Sequence, residues 1–149
     1  MRVIAIILFL IPAILMAQKN EIKTNNYFDN LTYKEKEIIV NKGTEPAWSG
    51  KYINHYKNGV YVCKACNNPL YKSESKFKSN CGWPSFDAEI PKAIIRIPDY
   101  SYNMYRIEIC CSNCKGHLGH VFEGEMLTKN NIRHCVNSLS IRFIASKSD

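Results

Sequence analysis

Seven cysteines are the residues most able to do chemistry in this chain, and their spacing divides them. Four form two Cys-x-x-Cys pairs, Cys63 with Cys66 and Cys111 with Cys114, with 44 residues between the pairs. Cys81, Cys110 and Cys135 are left over. Each Cys-x-x-Cys turn offers two thiolates from one tight bend, and two such turns complete the tetrahedral shell that Zn²⁺ takes in structural sites, with no position open to water. The competing reading is a thioredoxin-type dithiol. That motif opens a helix in a βαβ unit, whereas Gly59-Val60-Tyr61-Val62 before Cys63 and Ile107-Glu108-Ile109 before Cys111 read as strands running into turns.

Among the leftover thiols, Cys135 has the more reactive setting, with Arg133 two residues earlier on the same strand face and His134 adjacent. Positive charge favours the thiolate, which is the nucleophile. On this local pattern alone an inert buried cysteine fits equally well. Gly116-His117-Leu118-Gly119-His120-Val121-Phe122 places two imidazoles three residues apart, just past the second turn. Four sulfurs already fill a zinc shell, so His117 and His120 are free for proton transfer or hydrogen bonding. In Cys81-Gly82-Trp83-Pro84-Ser85-Phe86 a thiol precedes a flexible glycine and a tryptophan braced by proline. That could be a mobile thiol beside an aromatic wall or a core tryptophan in a turn. Cys110 has no partner at Cys-x-x-Cys spacing and receives no role.

These residues need a scaffold, and the sequence outlines one. The chain has 149 residues, 46% of them hydrophobic and 22% charged, on the scale of one globular domain. Its net charge of +7 is spread without a basic stripe, which argues against nucleic acid as a partner. Thr32 with Glu35 forms a capping box, predicting a helix from Tyr33 to Val40 stopped at Asn41-Lys42-Gly43. β-Branched and aromatic runs predict strands at Lys51 to Asn54, Val60 to Cys63, Ala93 to Ile97, Met104 to Cys111 and Arg133 to Ile144. The last, read as one strand, aligns Arg133, Cys135, Asn137 and Leu139 on one face, with Ile141 and Phe143 continuing it. The fold class is all-β and antiparallel, with a short N-terminal helix and a zinc knuckle pair.

The chain opens with Met1-Arg2, an apolar run from Val3 to Met16 and Ala17. This predicts a signal peptide over residues 1–17, then a flexible leader over 18–31 and the domain over 32–146. Export, to the periplasm, follows, with no stable membrane insertion after cleavage. The alternative is an uncleaved tether, although fourteen apolar residues fall short of the roughly 20 that span a bilayer.

Taken together the motifs resemble the B-type methionine sulfoxide reductases. The matching stretches are Gly43-Thr44-Glu45-Pro46 leading to Ser49-Gly50, the Cys63/Cys66 turn, CGWPSF at 81–86, CxxCxxHLGHVF at 111–122, and Arg133-His134-Cys135-Val136-Asn137-Ser138. The resemblance implies two antiparallel β-sheets of the MsrB/Mss4-like kind and one structural zinc ion on Cys63, Cys66, Cys111 and Cys114. It implies that Cys135 attacks the sulfur of the R epimer of methionine sulfoxide, in a peptide or protein, and becomes a sulfenic acid. Cys81 then resolves it as a Cys81–Cys135 disulfide, reduced by a thioredoxin-like partner in trans. His117 and His120 would hold or protonate the oxygen, Arg133 would keep Cys135 ionised, and Asn137 would orient the polar network. Trp83 and Phe122 would line the substrate pocket, Trp83 receiving the methyl group, and the molecule would act as a monomer. Glu123-Gly124-Glu125 stands where many relatives have Asp-Gly-Pro, which leaves open whether Glu123 or Glu125 serves the site. The alternatives are an exported zinc-ribbon binding module, which leaves Cys81 and the paired histidines without purpose, and a disulfide oxidoreductase working through a Cys-x-x-Cys pair.

Overall fold

The computed structural model describes residues 26–147. The expected signal peptide and most of the expected leader lie outside them. The capping box forms: Thr32 Oγ1 accepts from the Glu35 amide and the Glu35 carboxylate accepts from the Thr32 amide. Helix α1 runs Tyr33–Ile39 and buries Ile38 and Ile39. It is stopped one residue earlier than expected, with Lys42 in the left-handed region at φ 57° and the Gly43 amide donating back to the Glu37 carbonyl.

Among the described residues nine strands follow: β1 Gly59–Cys63, β2 Pro69–Lys72, β3 Lys76–Phe77, β4 Ser85–Phe86, β5 Ile94–Asp99, β6 Arg106–Cys111, β7 His117–Glu123, β8 Ile132–Val136 and β9 Ile141–Ala145. They form two antiparallel sheets, ordered β2-β1-β9 and β3-β4-β8-β7-β6-β5. The core lies where their inner faces meet: Tyr71 stacks on Phe86 at 4.3 Å, and Tyr61 of the small sheet meets Phe86 of the large one edge-on at 5.0 Å. Among the described residues no helix is long and apolar enough to cross a membrane.

Two expected strands are corrected. Lys51 to Asn54 is a turn, with the Ile53 amide donating to the Gly50 carbonyl. Its Tyr52 is buried edge-on against Tyr61, so one aromatic anchor gave the segment a strand-like composition without any ladder partner. The run Arg133 to Ile144 is two strands in different sheets, joined by a 3₁₀ turn at Ser138–Ser140. The break has a physical cause. The buried Glu45 carboxylate accepts the amides of Ser138 and Leu139, and Asn137 Oδ1 accepts the Glu45 amide at 3.0 Å. The chain therefore turns at Asn137, and the face shared by Arg133 and Cys135 ends there.

The large sheet is set by its register. Ser85 on β4 lies opposite Cys135 on β8, Cys135 opposite His120 on β7, and His120 opposite Glu108 on β6. Opposed residues of antiparallel strands share a face, so these four form one row. A register shift between Ile109 and Cys110 then brings His117 opposite Cys110, placing both histidines on that side of the sheet. Strands β7 and β8 approach closely at Gly119, where a Cβ would stand 1.9 Å from the Cys135 carbonyl oxygen. No side chain fits there. Gly119→Ala is expected to lose on the order of 4 kcal/mol of stability in urea melts. A loss under about 1 kcal/mol would contradict this pairing.

Candidate active site

The two Cys-x-x-Cys turns are built alike. In each, the first cysteine's amide donates to the carbonyl five residues on (Asn68, Gly116), and its carbonyl accepts from the amide four residues on (Asn67, Lys115). Asn67 and Lys115 take left-handed φ values of 61° and 64°. These loops end β1 and β6, one in each sheet, and bring four sulfurs within 4.8 Å of one another. Cys63 and Cys114 are 3.6 Å apart, and Cys66 and Cys111 3.5 Å apart. Tetrahedral zinc with bonds of about 2.3 Å sets its sulfurs roughly 3.8 Å apart. Contacts within the cluster set the thiols against one another: Cys111 and Cys114 push Cys63 well up, while the same cluster pulls Cys111 well down. A divalent cation resolves that conflict by taking all four as thiolates. The Gly116 amide and Asn68 Nδ2 point at Cys114 and Cys111 sulfur, in the manner of an outer ligand shell. The donor set fits zinc, which would clamp the two sheets together and supply no open coordination site.

Two further thiols meet elsewhere. Cys81 Sγ lies 3.8 Å from Cys135 Sγ. Cys81 also has Ser79 Oγ at 3.0 Å and Ser85 Oγ at 3.4 Å. Accepting from Cys135, and then from these hydroxyls, brings the Cys81 thiol down to about 4. The same sulfur contact, together with burial, pushes Cys135 well up, against the pull of Arg133. One proton is thus shared between the two sulfurs.

Cys135 lines a pocket of about 120 Å³ together with Trp83, His120, Phe122, Asn137, Thr44, Arg106, Gly119 and Val136. Trp83 is fixed by its Nε1–H, which donates to the Glu45 carbonyl at 3.0 Å. Asn137 lines the wall while its amide group is committed to backbone, accepting from Glu45 and donating to the Leu118 carbonyl. Arg133 is buried, lies 4.4 Å above the Phe122 ring and forks onto Glu125 at 2.7 and 2.8 Å. Of Glu123 and Glu125, it is Glu125 that pairs with Arg133.

Not every residue singled out in the sequence reaches the pocket. His117 is 2% exposed and sits behind His120, their rings edge to face at 5.5 Å. Its Nδ1 bonds Glu108 at 2.7 Å. His134, adjacent to Cys135 in sequence, points into the core, where Tyr71 Oη meets its Nδ1 and burial lowers it to about 4. It is neutral and on the opposite face, so it gives Cys135 no charge. Cys110 is buried beside Glu108, and burial raises its thiol to about 12.

Arg106, Asp99 and Glu108 were not assigned functional roles from sequence. Asp99 Oδ2 receives His120 Nε2 at 2.8 Å and an Arg106 guanidinium nitrogen at 2.7 Å. The only sequence signal was the polar alternation Arg106, Glu108 on β6, and its meaning depends on the pairing with β5 and β7.

Comparison with known proteins agrees with this geometry. Residues 31–145 match the SelR domain family. The chain belongs to that family, the B-type peptide methionine sulfoxide reductases. It is 50% identical over 119 residues to peptide methionine sulfoxide reductase B3 of Arabidopsis thaliana, a match covering 79% of this chain and 66% of the relative. It is also 50% identical over 114 residues to peptide methionine sulfoxide reductase B5 of Oryza sativa subsp. japonica, covering 76% and 82%. A third relative, the chloroplastic B3 reductase of Oryza sativa subsp. japonica, is 48% identical, and only 52% of its length is matched. The chain therefore spans about half to four fifths of these relatives. Among solved structures, the Mis18 'Yippee-like' domain superposes with a TM-score of 0.51 at 13% identity, covering 62% of this chain and all of that one. That likeness concerns fold alone.

Two expectations follow. Cys63→Ser should lose metal and much stability, since zinc on such sites contributes on the order of 10 kcal/mol. Stoichiometric zinc with unchanged melting would contradict the knuckle pair. Because the lowered Cys81 thiol is ionised above about pH 4, iodoacetamide should alkylate it at a rate that is flat from about pH 6 to pH 8. A rate rising toward the free cysteine value of about 8.5 would contradict the shared proton.

Proposed function

We propose that this protein reduces the R epimer of methionine sulfoxide, in peptides or proteins, with Cys135 as nucleophile and Cys81 as resolving thiol. The observation that carries this reading is the meeting of the two sulfurs at 3.8 Å beside a pocket holding His120 and Trp83. Membership of a family whose named relatives are peptide methionine sulfoxide reductases supports it.

The reaction has two demands. Sulfoxide oxygen leaves poorly until it gains a proton, and its sulfur must be attacked by a thiolate. Proton transfer along the Cys135–Cys81 contact puts the negative charge on Cys135, where Arg133 favours it, and leaves Cys81 as a thiol. Cys135 attacks the sulfoxide sulfur while the oxygen takes a proton relayed from solvent through His120. The sulfur–oxygen bond breaks as the hydroxyl passes to the Cys135 sulfur and the transient sulfur–sulfur bond reopens, so methionine departs reduced by two electrons and Cys135 is left as a sulfenic acid. The Cys81 sulfur then attacks that of Cys135, releasing water and leaving a disulfide. The Asn80 and Gly82 positions around Cys81 have left-handed φ values of 58° and 95°, and this short segment carries the movement to a bond of about 2.05 Å. A thioredoxin-like dithiol restores both thiols.

Trp83 and Phe122 would hold the methyl side of the sulfoxide, with a sulfur–aromatic contact of about 0.3–1.5 kcal/mol. With the methyl fixed, one configuration aims oxygen at His120 and leaves sulfur open to Cys135. Export follows from the apolar start at residues 1–17, and cell fractionation tests it: intact protein in the cytosol rejects it.

Separate assays of R and S peptide sulfoxides test the main reading. The R epimer alone should turn over with dithiol. Cys135→Ser should abolish turnover, and Cys81→Ser should release one methionine per chain and then stall with thioredoxin. Equal use of both epimers, or full activity in Cys135→Ser, would reject it.

A further inference from the structure

Sulfoxide reduction as proposed needs one nitrogen of His120 to be a proton carrier and the other to be held. The structure shows how that division is made. Asp99 lies at the end of β5, opposite Arg106 on β6, and its Oδ2 meets His120 Nε2 at 2.8 Å. Hydrogen bonds from Ser101 and then His120 hold this carboxyl far below the usual range, so it is an acceptor alone. His120 Nε2 must therefore carry a proton, and Nδ1 is the nitrogen left for exchange.

One strand inward the arrangement recurs with the opposite nitrogen. Glu108 Oε1 meets His117 Nδ1 at 2.7 Å, and Glu108 Oε2 meets Lys42 Nζ at 2.8 Å. Burial would raise this carboxyl, but bonds from Lys42 and His117 keep it lowered and ionised. His117 therefore carries its proton on Nδ1, and its Nε2 is buried without a partner among the described residues. Neither carboxylate lines the pocket that holds Cys135.

We propose that Asp99 and Glu108 are positioning residues that fix opposite tautomers in the paired histidines, His120 as Nε2–H and His117 as Nδ1–H, so that proton delivery to the sulfoxide passes through Nδ1 of His120. An ionised carboxylate on the outer nitrogen holds the ring through both protonation states, as an aspartate does for the histidine of a serine protease. Arg106, bridged to the same Asp99 oxygen, holds that carboxylate in place. His117 packs its ring against His120 and fixes the plane in which it lies.

The inference rests on the reductase reading, so its test has a readout independent of turnover. Nitrogen NMR of the reduced, zinc-loaded protein should give the Nε2–H tautomer for His120 and the Nδ1–H tautomer for His117. The reverse assignment for His120 overturns the proposal even if the protein is an active reductase. In kinetics with R peptide sulfoxide, Asp99→Asn should lower kcat on the order of 100-fold and Glu108→Gln on the order of 10-fold, each with KM unchanged. Asp99→Glu should recover part of the loss. Melting and zinc content, measured alongside, should match the parent. Folded, zinc-loaded variants within about twofold of the parental kcat, or losses confined to KM, overturn it. Should a variant fail to fold, the tautomers in the parent decide. A parent inactive on both epimers defeats the reductase reading instead.

Discussion

The close approach of β7 and β8 at Gly119 is the constraint on which the site depends. Only a residue without a side chain admits the Cys135 carbonyl there, and that contact fixes His120 opposite Cys135. Everything else in the row, from Ser85 on one side to Glu108 on the other, follows from this register. A slip of one residue would turn Cys135 into the core and bring His134 to the pocket. Cys135, His120 and the Ser85 hydroxyl beside Cys81 are thus placed by strand pairing, which is stiffer than a loop.

Two cysteine groups divide the labour by geometry. Four thiols held by paired turns at the ends of β1 and β6 are close enough to hold a cation, and their position at the junction of the two sheets suits a clamp. Cys81 and Cys135 meet as a pair, in a polar nest of serine hydroxyls that lets one of them ionise. In the proposed function the same element would serve structure in one place and redox chemistry in the other, according to the number of neighbouring sulfurs.

Much of the site was legible in the sequence where chemistry and spacing coincide. The Cys-x-x-Cys turns, the capping box at Thr32 and Glu35, and the strand through Cys135 depend on local rules, and the structure contains them. Composition misled at Lys51 to Asn54, where Tyr52 is an anchor rather than part of a ladder, and at Asn137, where the Glu45 amide, 92 residues away in sequence, bonds the side chain and the Glu45 carboxylate takes the next two amides. Asp99 and Glu108 were beyond reach for the same reason. Their meaning arises from cross-strand register, which a single sequence does not display. His134 shows the converse: a neighbour in sequence, it lies on the opposite face and is neutral.

The central claim is that oxidation received at Cys135 passes to Cys81 and to no other thiol. Proteolytic mapping of the zinc-loaded protein after reaction with R peptide sulfoxide, without reductant, addresses it directly. A crosslink joining the fragments of Cys81 and Cys135, with Cys110 and the four knuckle cysteines reduced, is the predicted result. A crosslink within a Cys-x-x-Cys turn, or none involving Cys135, would contradict it.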